Sequence, residues 1–116
     1  MKSLAVILLL LAACGQSNRK PTIQTEAPKQ KEWYEGGTLH KATIAEWKAA
    51  TESNRLATCA DFVASLEKPS SMDAMLDQAL ALKNCINEAT EGISAADKES
   101  VVDIASACTI LLREGL

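Results

Sequence analysis

The sequence predicts an all-α fold: a small helical bundle of three main helices plus one short N-terminal helix, behind a disordered linker. Two observations carry this. Apolar residues recur at three- and four-residue spacing through most of residues 44–112, and helix-starting and helix-stopping residues punctuate that run at intervals. Alternating apolar and polar runs, the mark of half-buried strands, are nearly absent. With 116 residues, the chain has length for one domain, and 47% hydrophobic residues exclude wholesale disorder. A formal net charge of −3 excludes a polycation built to coat nucleic acid.

Taken in order, the folded part covers residues 32–116. Trp33-Tyr34 and then Gly36-Gly37 read as an irregular lead-in, the glycines permitting a turn. The two rings are expected to pack over an end of the bundle; the alternative is a place at a bilayer interface. Thr43-Ile44-Ala45-Glu46 matches the capping box, in which the threonine hydroxyl accepts from the glutamate amide and the glutamate side chain reaches back. A short helix over about 44–51 follows, burying Ile44 and Trp47 on one face.

Ser53 or Asn54 is positioned to cap a second helix that Pro69 stops after Lys68. Its apolar stripe is Leu56, Cys59, Ala60, Val63 and Leu66. Ser70 and Ser71 offer caps for a third helix carrying Met72, Met75, Leu76, Ala79, Leu82, Ile86 and Ala89, with Gly92 as its natural stop. Ser94 is the expected cap of a fourth, with Val101, Ile104, Ala105, Cys108, Leu111 and Leu112 inward and Gly115 at its close. Short loops between such helices make neighbours antiparallel.

Catalytic signatures are missing. His40 is the single histidine, so any histidine-dependent nucleophilic mechanism requires it, and local spacing brings no serine or cysteine to it. It reads as a solvated loop residue. No phosphate loop, nucleophile elbow or zinc-protease motif occurs. Acid pairs such as Glu88/Glu91 and Asp97/Glu99 read as solvated helix faces, and Trp47 and Phe62 as core. The expectation is a protein that is not an enzyme, with no cofactor and no nucleic-acid partner. Cys59, Cys85 and Cys108 lack a C-x-x-C pattern, and only His40 is available to join them, so no metal site is expected either.

The N-terminus is more specific. Lys2 precedes the unbroken apolar run Leu4–Ala13, a secretory signal peptide too short for the roughly 20 residues of a membrane span. Leu11-Ala12-Ala13-Cys14 resembles the lipobox of bacterial lipoproteins. That likeness implies cleavage after residue 13, diacylglycerol on the Cys14 thiol and commonly an amide-linked acyl chain on its amino group. Each buried CH₂ adds about 0.8 kcal/mol, so two or three chains anchor durably where one does not. In Gram-negative lipoproteins an aspartate after the cysteine holds the protein at the inner membrane. Gly15 therefore implies, in such a host, the outer membrane with the domain facing the periplasm.

Residues 14–31 then form the lipidated cysteine and a linker with two prolines, one aliphatic residue (Ile23) and an r.m.s. reach of about 20–25 Å. Its net charge is 4 − 1 = +3, against 7 − 14 = −7 for residues 32–116. This division is what a polar linker and a soluble domain ordinarily show; a basic tether beside anionic lipid would in addition be attracted by about 1 kcal/mol per charge.

Export places the remaining cysteines in an oxidising compartment, and a domain of this size gains about 2–4 kcal/mol from one bridge. If the third and fourth helices turn at residues 92–93, Cys59 and Cys108 lie closest in level and both sit within their apolar stripes. Cys59–Cys108 is the favoured pair, Cys85–Cys108 the rival, and three unbridged thiols the remaining possibility. The stretch from Tyr34 through Gly36-Gly37-Thr38-Leu39-His40 and Trp47 to Asn54-Arg55-Leu56-Ala57-Thr58 resembles a segment of small uncharacterised bacterial helical proteins. No activity is assigned to those, so the likeness implies a folded domain and nothing of its role. The function expected is a membrane-anchored lipoprotein presenting an acidic helical module to an envelope protein. The alternative is an exclusion or immunity lipoprotein of a plasmid or phage.

Overall fold

A computed structural model describes residues 31–115. The expected signal peptide, the expected lipid site at Cys14 and the expected linker up to residue 30 lie outside the described residues. Four α-helices follow in order: α1 (Ile44–Ala49), α2 (Glu52–Leu66), α3 (Met72–Thr90) and α4 (Val101–Arg113), with a 3₁₀ turn (Ser94–Lys98) between the last two. The all-α expectation holds for the described residues, where the only β pairing is a single bridge between Thr43 and Ser100.

α1 begins at its capping box: Thr43 Oγ1 accepts from the Glu46 amide, and Glu46 Oε1 accepts from the Thr43 amide at 2.9 Å. Its Ile44 and Trp47 are fully buried. α2 starts earlier than Ser53 or Asn54. Thr51 is its cap, accepting from the Asn54 amide. The Asn54 side chain has other work: its amide oxygen accepts from the Thr38 amide at 2.9 Å, and its nitrogen donates to the Thr38 hydroxyl. α2 ends as Pro69 demands, with Lys68 in the left-handed region (φ 49°) and its amide donating to Val63 O. Ser71 caps α3, and Gly92 follows its end at φ 74°, both as the sequence indicates.

Ser94 is not the cap of α4. The chain makes the 3₁₀ turn instead, Ser94 forms no capping bond, and Ser100 caps α4 by accepting from the Asp103 amide. Two long-range contacts hold this arrangement. Asp97 accepts from Lys48 Nζ at 2.6 Å, and the backbone around Glu99 is extended, pairing with the chain before α1. Ile44 N donates to Glu99 O and Val101 N to Ala42 O, so the N-caps of α1 and α4 lie side by side.

α3 is the central helix. It packs along both α2 and α4, which make few contacts with each other. At one end, formed by the N-termini of α2 and α4 and the C-terminus of α3, residues 39–47 fill the space between the flanking helices. Leu39, Ala42, Ile44 and Trp47 join Cys59, Ala60, Ile86, Val101 and Ala105 in the core. Gly37 is required here: a Cβ at this position would lie 2.5 Å from Thr58 N and 2.8 Å from Ala57 C, inside the α2 backbone. Trp33 and Tyr34 stack edge to face, half-buried against the core, as packing over this end requires.

Some stripe residues are not inside. Leu66, Met72 and Leu111 are about half exposed and Ala89 faces solvent, whereas Ala57, Thr58, Thr90 and Thr109 are buried. Thr90 and Thr109 satisfy their hydroxyls on the Ile86 and Ala105 carbonyls at 2.8 Å, so burying them leaves no orphaned donor.

Candidate functional site

At the opposite end of the bundle none of the described residues fills the space between α2 and α4. A groove of about 370 Å³ remains there. Its floor is Gln78, Ala81 and Leu82 of α3, and its walls are Val63 of α2 and Thr109 and Leu112 of α4. The helical spacing explains the opening. Ala81 and Thr109 are small, and the side chains that would close the gap, such as Leu66, turn outward. Polar groups sit on the rim: Asp77, Glu67 and Arg113, the last two joined by a hydrogen bond of 2.8 Å from Arg113 Nε to Glu67 Oε2. An apolar trough with a few charged groups at its mouth, in this size range, is the usual form of a binding site for a small apolar group or a peptide side chain.

The filled end carries a second hollow of about 400 Å³, lined by Trp47, Lys48, Glu52, Arg55, Asn87 and Thr90. Most of its polar groups are already committed, with the exposed Glu91 at its edge. Arg55 Nε donates to Trp47 O at 2.9 Å and Arg55 Nη2 to Lys48 O at 2.8 Å, so α2 supplies the C-terminal cap of α1. Arg55 also bonds Glu52 and sits over the Trp47 ring, while the indole N–H donates to Asn87 Oδ1 at 2.9 Å. Lys83 donates to Glu52 Oε1, and this bond is the main cause holding the Glu52 carboxyl below its ordinary value of 4.5. The Arg55, Glu52, Lys83 and Asn87 bonds tie α1, α2 and α3 together, which is a structural role.

His40 is not a lone solvated residue. Its Nε2 lies 2.7 Å from Asp61 Oδ2 on α2 and its ring meets Phe62 edge to face, although both members of the pair remain substantially exposed. The contact fastens residues 38–43 to α2. Among the described residues no grouping of three or more His, Cys, Asp or Glu side chains is arranged to hold a metal, and no helix is long and apolar enough to cross a membrane.

The cysteine pairing differs from the favoured expectation. Cys59–Cys108 is not formed: the bridge is Cys85–Cys108, with Cα atoms 5.9 Å apart, and Cys59 is a buried free thiol. The cause is the turn between α3 and α4. Residues 91–100 are non-α, so the reversal centres near residue 96 and brings Cys85 level with about residue 107 at 1.5 Å per helical residue. Because α3 is central, its flank bearing Cys85 faces α4, away from the stripe shared with α2. Burial pushes the Cys59 thiol up to about 12, which leaves it un-ionised and inert in the folded chain.

Sequence spacing therefore locates none of the groove. Val63 and Leu112 read as ordinary core positions, and only the small side chains at Ala81 and Thr109 hint that the helices meet there without a plug. The chain matches no protein-family model, and neither a curated protein nor a solved structure shows significant similarity to it.

Proposed function

We propose that this chain is a bacterial lipoprotein: a lipid on Cys14 anchors it, residues 15–31 act as a spacer, and the helical domain serves as a non-enzymatic interaction module of the envelope. The observation that carries this reading is Leu11-Ala12-Ala13-Cys14 behind a lysine and an apolar run. The Cys85–Cys108 bridge supports it, since such bridges persist in oxidising compartments and are rare in reducing ones. An acidic surface and the apolar groove between α2 and α4 favour binding over catalysis, because the one histidine has a carboxylate partner and no nucleophile against it.

Mass spectrometry of the protein isolated from membranes tests the reading. The expected product begins at Cys14 with a diacylglyceryl thioether, and in denaturant it alkylates once before reduction, at Cys59, and three times after. A chain that still begins at Met1 without lipid would remove the anchor from the account. Three alkylations without reduction would remove the oxidising compartment.

A further inference from the structure

The open trough between α2 and α4 is apolar inside and acidic at its mouth. Val63, Ala81, Leu82 and Leu112 line about 370 Å³, room for a large aliphatic or aromatic side chain. The Cys85–Cys108 bridge pins α3 to α4 one helical turn from Ala81 and from Leu112, so these walls hold their spacing before anything binds. Charges around the mouth do not cancel. Glu67 and Arg113 neutralise each other across the rim, and Lys68 and Glu114 at the same end offset one another in count. Asp77 on the rim and Asp73, one turn before it on α3, are both exposed. Neither has a cation against it among the described residues. The domain as a whole carries a net −7 over residues 32–116.

We infer that this trough holds an apolar anchor from a basic helix of a partner protein, with two cations of that helix meeting Asp77 and Asp73. Charge selects this occupant. A second copy carries the same −7, an anionic lipid surface has the same sign, and a fatty acid brings a carboxylate towards Asp77. Each of these is repelled at the mouth, whereas a cationic segment is drawn in. Spacing selects a helix. Asp73 and Asp77 stand at i and i+4 on α3, and lysines or arginines at i and i+4 of a helix laid along them repeat at the same one-turn interval. Apolar side chains one turn apart on such a helix are the usual anchors in a groove between helices. The inference rests on reading the domain as an interaction module, and it does not depend on how the chain is anchored.

Fluorescence anisotropy tests it, with the full-length chain in phosphatidylcholine nanodiscs and empty nanodiscs as the blank. The probe is a labelled alanine-based helical peptide with two leucines one turn apart and two lysines one turn apart beside them. It is expected to bind saturably, at least about tenfold tighter than versions with glutamates for the lysines or alanines for the leucines. Ala81→Leu, which fills the trough, should weaken the lysine probe at least about tenfold. Asp77→Lys should weaken it about threefold or more and raise the affinity of the glutamate probe by a similar factor. Glu88→Lys, the same charge change at an exposed site three turns along α3, should leave both within about twofold.

Equal affinity for the lysine and glutamate probes overturns the proposal, as does Glu88→Lys acting as strongly as Asp77→Lys. Unchanged binding with Ala81→Leu overturns it too. Tighter binding of the glutamate probe would assign the trough to an anionic partner, and displacement of the lysine probe by hexanoate would assign it to an acyl chain; either result rules out the basic helix. If no probe binds, this inference falls, while the lipoprotein reading still stands or falls on the mass of its N-terminus. Circular dichroism of each variant separates loss of contact from loss of fold, and the exposed Asp77 keeps the test decisive should Ala81→Leu fail to fold.

Discussion

The two ends of the bundle are built from the same three helices and are finished differently. Where α2 and α4 begin and α3 ends, Leu39, Ile44 and Trp47 occupy the gap, Arg55 closes the last turn of α1, and paired backbone joins Thr43 to Ser100. Where α2 and α4 end and α3 begins, Val63, Leu82 and Leu112 line an open trough whose rim is held by an exposed pair, Arg113 with Glu67. Here α2 and α4 touch each other little, so the space between them depends on a further element to close it. Among the described residues, 39–47 close one end, and the trough at the other end stands open.

Substitutions can break this contrast or sharpen it. The largest effect is expected at the plug. Trp47→Ala removes the biggest fully buried side chain and the indole donor to Asn87, leaving Asn87 Oδ1 only its longer bond from Arg55, and should cost about 3–5 kcal/mol in denaturant unfolding. A loss below 1 kcal/mol would mean the plug is dispensable and the two ends are equivalent. Next is Gly37→Ala, which sets a methyl against the α2 backbone and should cost about 1–3 kcal/mol by the same measurement.

A matched pair of enlargements compares the ends directly. Ala57→Leu, at a fully buried position in the filled end, should destabilise by about 1–3 kcal/mol. Ala81→Leu projects into the trough and should change stability by less than about 1 kcal/mol, in either direction. Equal losses at the two sites would show that the trough closes in solution.

The smallest effect concerns acid. Lys83 holds the Glu52 carboxyl below its usual value, so the folded state binds the proton less readily than the unfolded one. Its contribution is therefore fully present above about pH 4.5 and is lost as the pH falls through the lowered folded value. Glu52→Gln should lower the melting temperature slightly at pH 7, with the gap from the parent chain narrowing below pH 4.5. Glu52 is mostly exposed, so solvent screening keeps the gap small. A gap independent of pH would detach it from the ion pair.

Much of the bundle is legible in the residues because the signals are local. The Thr43/Glu46 box, Ser71, Pro69 and Gly92 act within one turn of themselves, and all mark their boundaries. Legibility fails where a side chain is claimed from afar. Asn54 looks like a cap until Thr38 takes it, and Asp97 looks like the first turn of a helix until Lys48 draws it into a tighter one. The misplaced start of α4 then propagates, since it shifts the level of every residue opposite and selects the wrong cysteine pair. The groove is hidden for a different reason: Val63 and Leu112 have the right spacing for core, and spacing says nothing about whether a third surface arrives to cover them.

The bridge between Thr43 and Ser100 has a bearing on the order of assembly. The capping box of α1 is local, but the Ile44 amide finds its acceptor, Glu99 O, only when the start of α4 is brought beside it. Contacts so distant in sequence close slowly, so this junction is expected to form after the local turns and caps.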